Sequence, residues 1–219
     1  MTNKIISLLA LSAFATSAFA DHHGEKAAIV VEFPPPFLIG TPVQVNLPYL
    51  EDAGAPAPVI MAPKGTINIA KDKEVTSSDD FPIIGDLSYA TDGDKESEEG
   101  YFVELAPGLQ WIQVDLEKSS TVYGVSMWHF HTQKRAYNDV ILQISDDEAF
   151  KTGVTTVFNN DHDNSSGLGK GADKAYLETN KGKLIDARGI KGQYVRLYSA
   201  GNTSNEMNHV VEVEVYGTN

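Results

Sequence analysis

The sequence predicts an all-β protein, an antiparallel β-sandwich preceded by a proline-rich extended arm. Three observations predict it. From about Gly65 onward, short runs rich in Val, Ile, Thr, Tyr and Phe, such as "WIQVDL", "TVYGVSMW", "DVILQIS", "VTTVF", "QYVRLY" and "VVEVEVYG", are separated by Gly, Asn and Asp turns. No long stretch repeats its apolar residues at a helical period. Eight of the ten prolines fall between Asp21 and Lys64, in "EFPPPFLIGTP" and "APAPVIMAP" among others, where missing backbone donors and a polyproline preference exclude a helix and disfavour a central strand.

The first 20 residues, "MTNKIISLLALSAFATSAFA", combine Lys4, an apolar run and a small-residue end before Asp21, the pattern of a cleaved export signal. The run is too short to span a bilayer, and no other stretch offers about 20 consecutive apolar residues. The expected organisation is therefore a signal peptide at 1–20, a proline-rich arm or linker at 21–64 and one sandwich domain at 65–219, exported to a periplasm or the outside. With no cysteine in the chain, an exported fold rests on its core or on a metal rather than on disulfides. Seventeen Lys and Arg against 30 Asp and Glu give a net charge of −13, which repels phosphate backbones and anionic lipid. Nucleic acid is excluded as a partner on this ground, while divalent cations and neutral, hydroxyl-rich ligands stay open.

The order of the runs "VTSSD", "YATDGD", "WIQVDLEKSSTVYGVSMW", "YNDVILQISDD", "GVTTVF", "GQYVRLYSAG" and "VVEVEVYG" resembles the coagulation factor five/eight type C, or discoidin, domain. That domain is a galactose-binding-like jelly roll, similar to the family 32 carbohydrate-binding modules and the fucose-binding lectins. The resemblance covers about Ile67 to Gly217. It implies a structural calcium held by a "DGN"-like turn and a glutamate of the last strand, which here are Asp92 and Asp94 of "ATDGD" and Glu212 of "EVEVYG". Oxygen ligands on a glycine-containing turn suit Ca²⁺; read without the resemblance, "DGD" is equally a hairpin turn.

The resemblance also implies a ligand rim on loops at one end of the sandwich, with Arg135 as the arginine donor. His129, His131 and Tyr137 join it as candidates, because a neutral imidazole both donates and accepts as a sugar hydroxyl does and a tyrosine offers a stacking edge. Two features depart from the family pattern: the loop after "DGD" carries Glu96, Glu98, Glu99 and Tyr101 without a histidine, and the cysteine pair of many animal members is missing.

For the stretch "WHFHTQKR", two-residue periodicity places His129 and His131 on the face of Val125 and Met127, with Trp128 and Phe130 on the other. Three readings of the pair remain: a structural role, a ligand-binding role, and a zinc site completed by His162 or His209. Asp161, Asp163 and Ser165 alternate as in a calcium loop but lack the twelfth-position glutamate, and read as a polar turn. Cleavage after Ala20 would expose Asp21-His22-His23, an amine, amide and imidazole set that suits Cu(II) or Ni(II). Motifs for nucleophile elbows, phosphate loops and zinc proteases are absent from the sequence. The expected function is a non-catalytic exported module that binds a glycan or polysaccharide. The alternatives are an adhesive module holding a cell-surface protein and a zinc enzyme built on the His-x-His pair.

Overall fold

The computed structural model describes residues 24–41, 44–52 and 54–219. The export signal and the Asp21-His22-His23 terminus lie outside them. In chain order the strands are β1 (Lys26–Ala28), β2 (Met61–Pro63), β3 (Ile67–Asn68), β4 (Val75–Ser77), β5 (Val103–Leu105), β6 (Gln110–Trp128), β7 (Ile141–Ser145), β8 (Thr155–Asn159), β9 (Lys183–Ser199), β10 (Asn208–Val210) and β11 (Glu212–Thr218). Among the described residues one 3-10 helix, Leu87–Thr91, interrupts them.

All strand pairings are antiparallel, and β6 and β9 form the spine. Their pairing shifts register between Asp115 and Ser120, at Glu117 (φ 67°), and again between Val122 and Gly124, opposite Arg188 (φ 57°); both residues are in the left-handed region. Such irregularities bend a ladder, and here they let each long strand serve both layers. The first half of β6 pairs with β4 and with the end of β9, which carries β7 and β8; the second half pairs with β11, which carries β3. One apolar core joins the inner faces: Ile112 and Val114, Val125 and Met127, Leu142 and Ile144, Val195 and Leu197, Val213 and Val215 alternate inward at a period of two. The observed fold is the predicted antiparallel sandwich.

Proline does not keep the arm away from the domain. Lys26–Ala28 pairs with Met61–Pro63 as a small ribbon, and Gly124 leaves room for Ile29 and Ile60 against the sheet, whose Cδ1 atoms would lie 3.0 and 3.3 Å from a Cβ there. Val31 packs on a second apolar cluster of Phe102, Trp128, Phe130 and Val211. Between these points hydrogen bonds stitch the arm to loops: the Asn180 side-chain amide donates to the carbonyl of Pro34 (2.7 Å), Ile39 N–H to that of Thr132 (2.6 Å) and Glu51 N–H to that of Ala175 (2.7 Å).

Trp128, fully enclosed, closes the end of β6 by donating its indole N–H to the carbonyl of Asn180 at 3.0 Å. The turn that delivers this carbonyl ends at Gly182, with φ +61° and no room for a Cβ, which would lie 2.6 Å from the Trp128 ring and 2.7 Å from the Met127 carbonyl. Gly182→Ala is expected to destabilise the fold by about 1–3 kcal/mol. In thermal melts this should lower Tm by roughly 2–4 °C per kcal/mol for a domain of this size; an unchanged Tm would remove the packing argument.

Candidate functional site

Beyond Trp128 the chain turns inward, and the four expected rim residues follow it. His129, His131, Arg135 and Tyr137 are brought together but are no more than 4 % exposed, so they do not form an open rim. Both sides of this segment are covered. Phe102, Val211 and Val31 pack with Trp128 and Phe130 on one side, and on the other the His129 ring stacks on Tyr137, centroids 4.2 Å apart.

Several polar atoms of this segment are paired, while His129 Nε2, His131 Nδ1, Arg135 Nε and Glu178 Oε2 are enclosed without a hydrogen-bond partner. His129 Nδ1 lies 2.7 Å from Glu178 Oε1, with both side chains fully enclosed. His209 Nε2 lies 2.9 Å from Glu104 Oε2, its direct cross-strand neighbour. Because the carboxylate can only accept, Nε2 carries the proton; Nδ1 is then a lone pair, and the Tyr137 hydroxyl donates to it at 2.8 Å. Burial first, then the neighbouring Arg135 and His129, pushes the His209 pKa down to about 3, so it stays neutral beside Glu104. Burial holds the Tyr137 phenol far above its ordinary range. His131 donates Nε2–H to the carbonyl of Lys95 at 2.9 Å, and the Arg135 guanidinium lies 4.6 Å over Phe130. These ring-nitrogen contacts serve the interior. Among the described residues His129 and His131 fall in no cluster of three metal-ligating side chains, with His162 and His209 or without them.

The "ATDGD" turn does meet Glu212. Asp86 caps the 3-10 helix by accepting from Ser88 N–H at 2.9 Å, and the helix ends on Asp92. Gly93, at φ +82°, donates its N–H to Glu212 Oε2 at 3.1 Å. Glu212 is wholly buried, its Oε1 has no hydrogen-bond partner, and burial, reinforced by Glu214 and Asp92, pushes its pKa up to about 9. A buried carboxylate oxygen without a partner, next to a second carboxylate on a glycine turn, fits a divalent cation. Asp94 is exposed, and its Oδ1 accepts from Glu96 N–H at 2.8 Å.

A third arrangement was not foreseen from the sequence. At the end where β7 begins and β8 ends, arm residues Leu47–Tyr49 and the loop after Asn159 enclose a cleft of about 440 Å³. Tyr49, 63 % exposed, stacks on His162 with ring centroids 4.2 Å apart, and the adjoining Leu50 bridges to Ala175. Asn160, 6 % exposed, receives Val140 N–H on Oδ1 at 2.7 Å; this fixes the amide orientation and leaves Nδ2 without a partner. The carboxylates of Asp139, Asp161 and Asp163 converge, one oxygen of each within 4.8 Å of the others. Asp161 accepts from the N–H groups of Asn164 (2.7 Å), Ser165 (3.1 Å) and Ser166 (3.0 Å). Burial alone would raise its pKa, but bonds from the Ser166 hydroxyl and N–H, the neighbouring Asp163 carboxyl and the Ser165 N–H outweigh burial and hold it at about 2. The polar-turn reading of this loop matches that bonding. Only Tyr137 of the expected rim residues lines the cleft.

The sequence profile of the F5/8 type C domain matches residues 74–213. The chain belongs to the F5/8 type C domain family. A search of curated proteins returns no match. Among solved structures, the chain is similar to chitosan-binding module 1 of a chitosanase/glucanase from Paenibacillus sp. IK-5, with 25% identity over 69% of this chain and 99% of that one, at a TM-score of 0.46. It is similar to a fucose binding module of Streptococcus pneumoniae, with 18% identity over 70% of this chain and 96% of that one, at a TM-score of 0.44. A family 89 glycoside hydrolase of Clostridium perfringens matches at 17% identity and a TM-score of 0.52 over 70% of this chain, which spans only 15% of that enzyme. This last likeness supports the sandwich fold.

On this F5/8 type C sandwich the buried His209 carries a pH dependence. His209 binds no proton in the folded state until about pH 3, whereas its unfolded counterpart titrates near the ordinary 6.5. Below 6.5 the unfolded state therefore binds more protons, and stability falls with pH across that window. His209→Gln, which cannot titrate, is expected to be less stable at neutral pH but to lose less Tm on acidification. An acid slope equal to that of the wild type would show that His209 does not contribute.

Proposed function

We propose that this chain is an exported, non-catalytic carbohydrate-binding module that takes its ligand in the cleft between Tyr49 and the 160–163 loop, with a structural calcium at the Asp92 turn and Glu212. The observation that carries this reading is the exposed aromatic ring of Tyr49, set against His162 beside a wall of acceptors and two enclosed, unpartnered nitrogens, Asn160 Nδ2 and His162 Nε2. A pyranose ring offers an apolar face to an aromatic side chain and hydroxyls that both donate and accept. Asp139 and Asp163 supply acceptors, and Asn160 Nδ2 supplies a donor. Family membership supports a binding role, and the net charge of −13 turns away nucleic acid. Export rests on the leader-like first 20 residues. Among the described residues no helix is long and apolar enough to cross a membrane.

A second reading, adhesion to a protein, is favoured by one observation. Phe37, Leu38 and Ile39 of the arm are consecutive and at least half exposed, more apolar surface than an isolated side chain needs. A glycan-independent partner recovered in stoichiometric amount, and lost when Phe37 and Leu38 are replaced by serine, would favour it.

On a panel of polysaccharides and oligosaccharides, Tyr49→Ala is expected to weaken binding about tenfold, the effect of losing one aromatic contact of about 1.4 kcal/mol. Arg135→Ala should instead act mainly through stability, since its guanidinium is buried on Phe130. Retention that Tyr49→Ala leaves untouched would place the ligand elsewhere.

The calcium reading predicts that a chelator lowers Tm and that Ca²⁺ restores it. At a free concentration of about 100 Kd the ion stabilises by about 2.7 kcal/mol, or several degrees here. Glu212→Gln keeps the shape of the side chain and should abolish the Ca²⁺ response. A response that survives it would assign the ion to other ligands.

A further inference from the structure

Resting on the rim cleft as the glycan site, we propose that the ligand it takes is a glycan bearing free amino groups, its ammonium held by Asp139 and Asp163 and its neighbouring hydroxyl by Asn160. The three carboxylates Asp139, Asp161 and Asp163 lie close enough to repel one another, and no lysine or arginine is among the residues lining the cleft. They differ in what they have left to offer. Asp161 is occupied on both oxygens, Oδ1 by Asn164 and Ser165 and Oδ2 by Ser166, so it contributes negative field rather than a contact. Asp139 accepts one bond from the Ser165 hydroxyl at 2.8 Å, through Oδ2. Asp163 accepts one from Ser165 N–H at 3.0 Å, through Oδ1. Each keeps a second oxygen for a ligand.

A bare metal ion suits this place less well than an ammonium does. A hard cation would need Asp161 to give up backbone bonds that already satisfy it, and the unpartnered amide donor of Asn160 would face the ion with the wrong polarity. An amino sugar presents both signs at once: a cation on one ring carbon, a hydroxyl acceptor on the next, and an apolar ring face for Tyr49. A neutral sugar leaves the mutual repulsion of the carboxylates uncompensated, and a uronic acid adds to it.

The test is calorimetric titration of the mature chain, Ca²⁺ present throughout, in mildly acidic, low-salt buffer where the amine is protonated. Three oligosaccharides of equal length are compared: β-1,4-linked glucosamine, its fully N-acetylated counterpart, and an oligouronate. The glucosamine oligomer is expected to bind at least about tenfold more tightly than the acetylated one, with the advantage shrinking as salt is added. Asp163→Asn, at an exposed position, and Asp139→Asn should each cut that advantage to less than about threefold, by weakening the glucosamine oligomer more than the acetylated one. If the acetylated oligomer or the oligouronate binds as tightly as the glucosamine oligomer, or if the advantage survives both substitutions, the charge inference is overturned while glycan binding stands. If none of the three binds, the glycan reading falls and this inference with it.

Discussion

At the end of β6 the chain must place three ionisable pairs in space from which water is excluded, and the rest of the molecule is arranged around that constraint. An isolated buried carboxylate or imidazolium is costly, and leaving one partner of such a pair unmade costs more than the pair contributes when complete. The Glu104, His209 and Tyr137 chain meets the requirement by fixing one tautomer along two bonds of 2.9 and 2.8 Å. His129 meets it with a single short contact to Glu178, and the Glu178 backbone N–H in turn reaches the carbonyl of Arg135 at 2.9 Å. Segments 129–137 and 176–182 are thereby locked to each other and to β5 and β10. The paired atoms of that lock are committed to one another, and of its residues only Tyr137 borders the cleft, so the rest of that cleft has to be built outside it.

The arm is the part of the chain able to do that building. A proline-rich segment has few N–H groups to satisfy, so it can cross a loop surface with widely spaced anchors and no ladder of its own. Its anchors are the β1–β2 ribbon, the carbonyl of Pro34, the N–H of Ile39 and the bridge at Leu50. Between them, Tyr49 is held with its ring outward on His162. One residue of the arm thus completes a cleft whose floor belongs to the sandwich.

This explains which features the sequence reveals. The strands at 110–128, 141–145, 155–159 and 212–218 are legible because a layer with one buried face imposes a period of two, and the side-chain parity of Val125 and Met127 against Trp128 and Phe130 survives in the structure. The meeting of Gly93 with Glu212 is legible only through the family pattern, since 119 residues separate them. The burial of His129, His131, Arg135 and Tyr137 is not legible. It depends on Glu104, brought in by the pairing of β5 with β10, and on Glu178 of the loop before β9, and a polar residue type by itself suggests exposure. Tyr49 is hidden for the converse reason, as a lone aromatic in a segment whose composition signals only a spacer.

The two carboxylate groupings also obey opposite rules, and the difference follows from hydrogen-bond supply. Glu212 is buried with one oxygen unpartnered, so either a proton or a cation must answer its charge. Asp161 is buried with both oxygens filled by the backbone of its own loop, and its charge needs no further partner. Those bonds hold residues 161–166 in one conformation, which sets Asp163 beside Asp139 and the Asn160 amide before any ligand arrives. Because that geometry is already fixed, a ligand entering the cleft gives up little loop entropy on binding. A small rim site on a rigid loop can therefore discriminate by charge and hydroxyl placement without a large buried area.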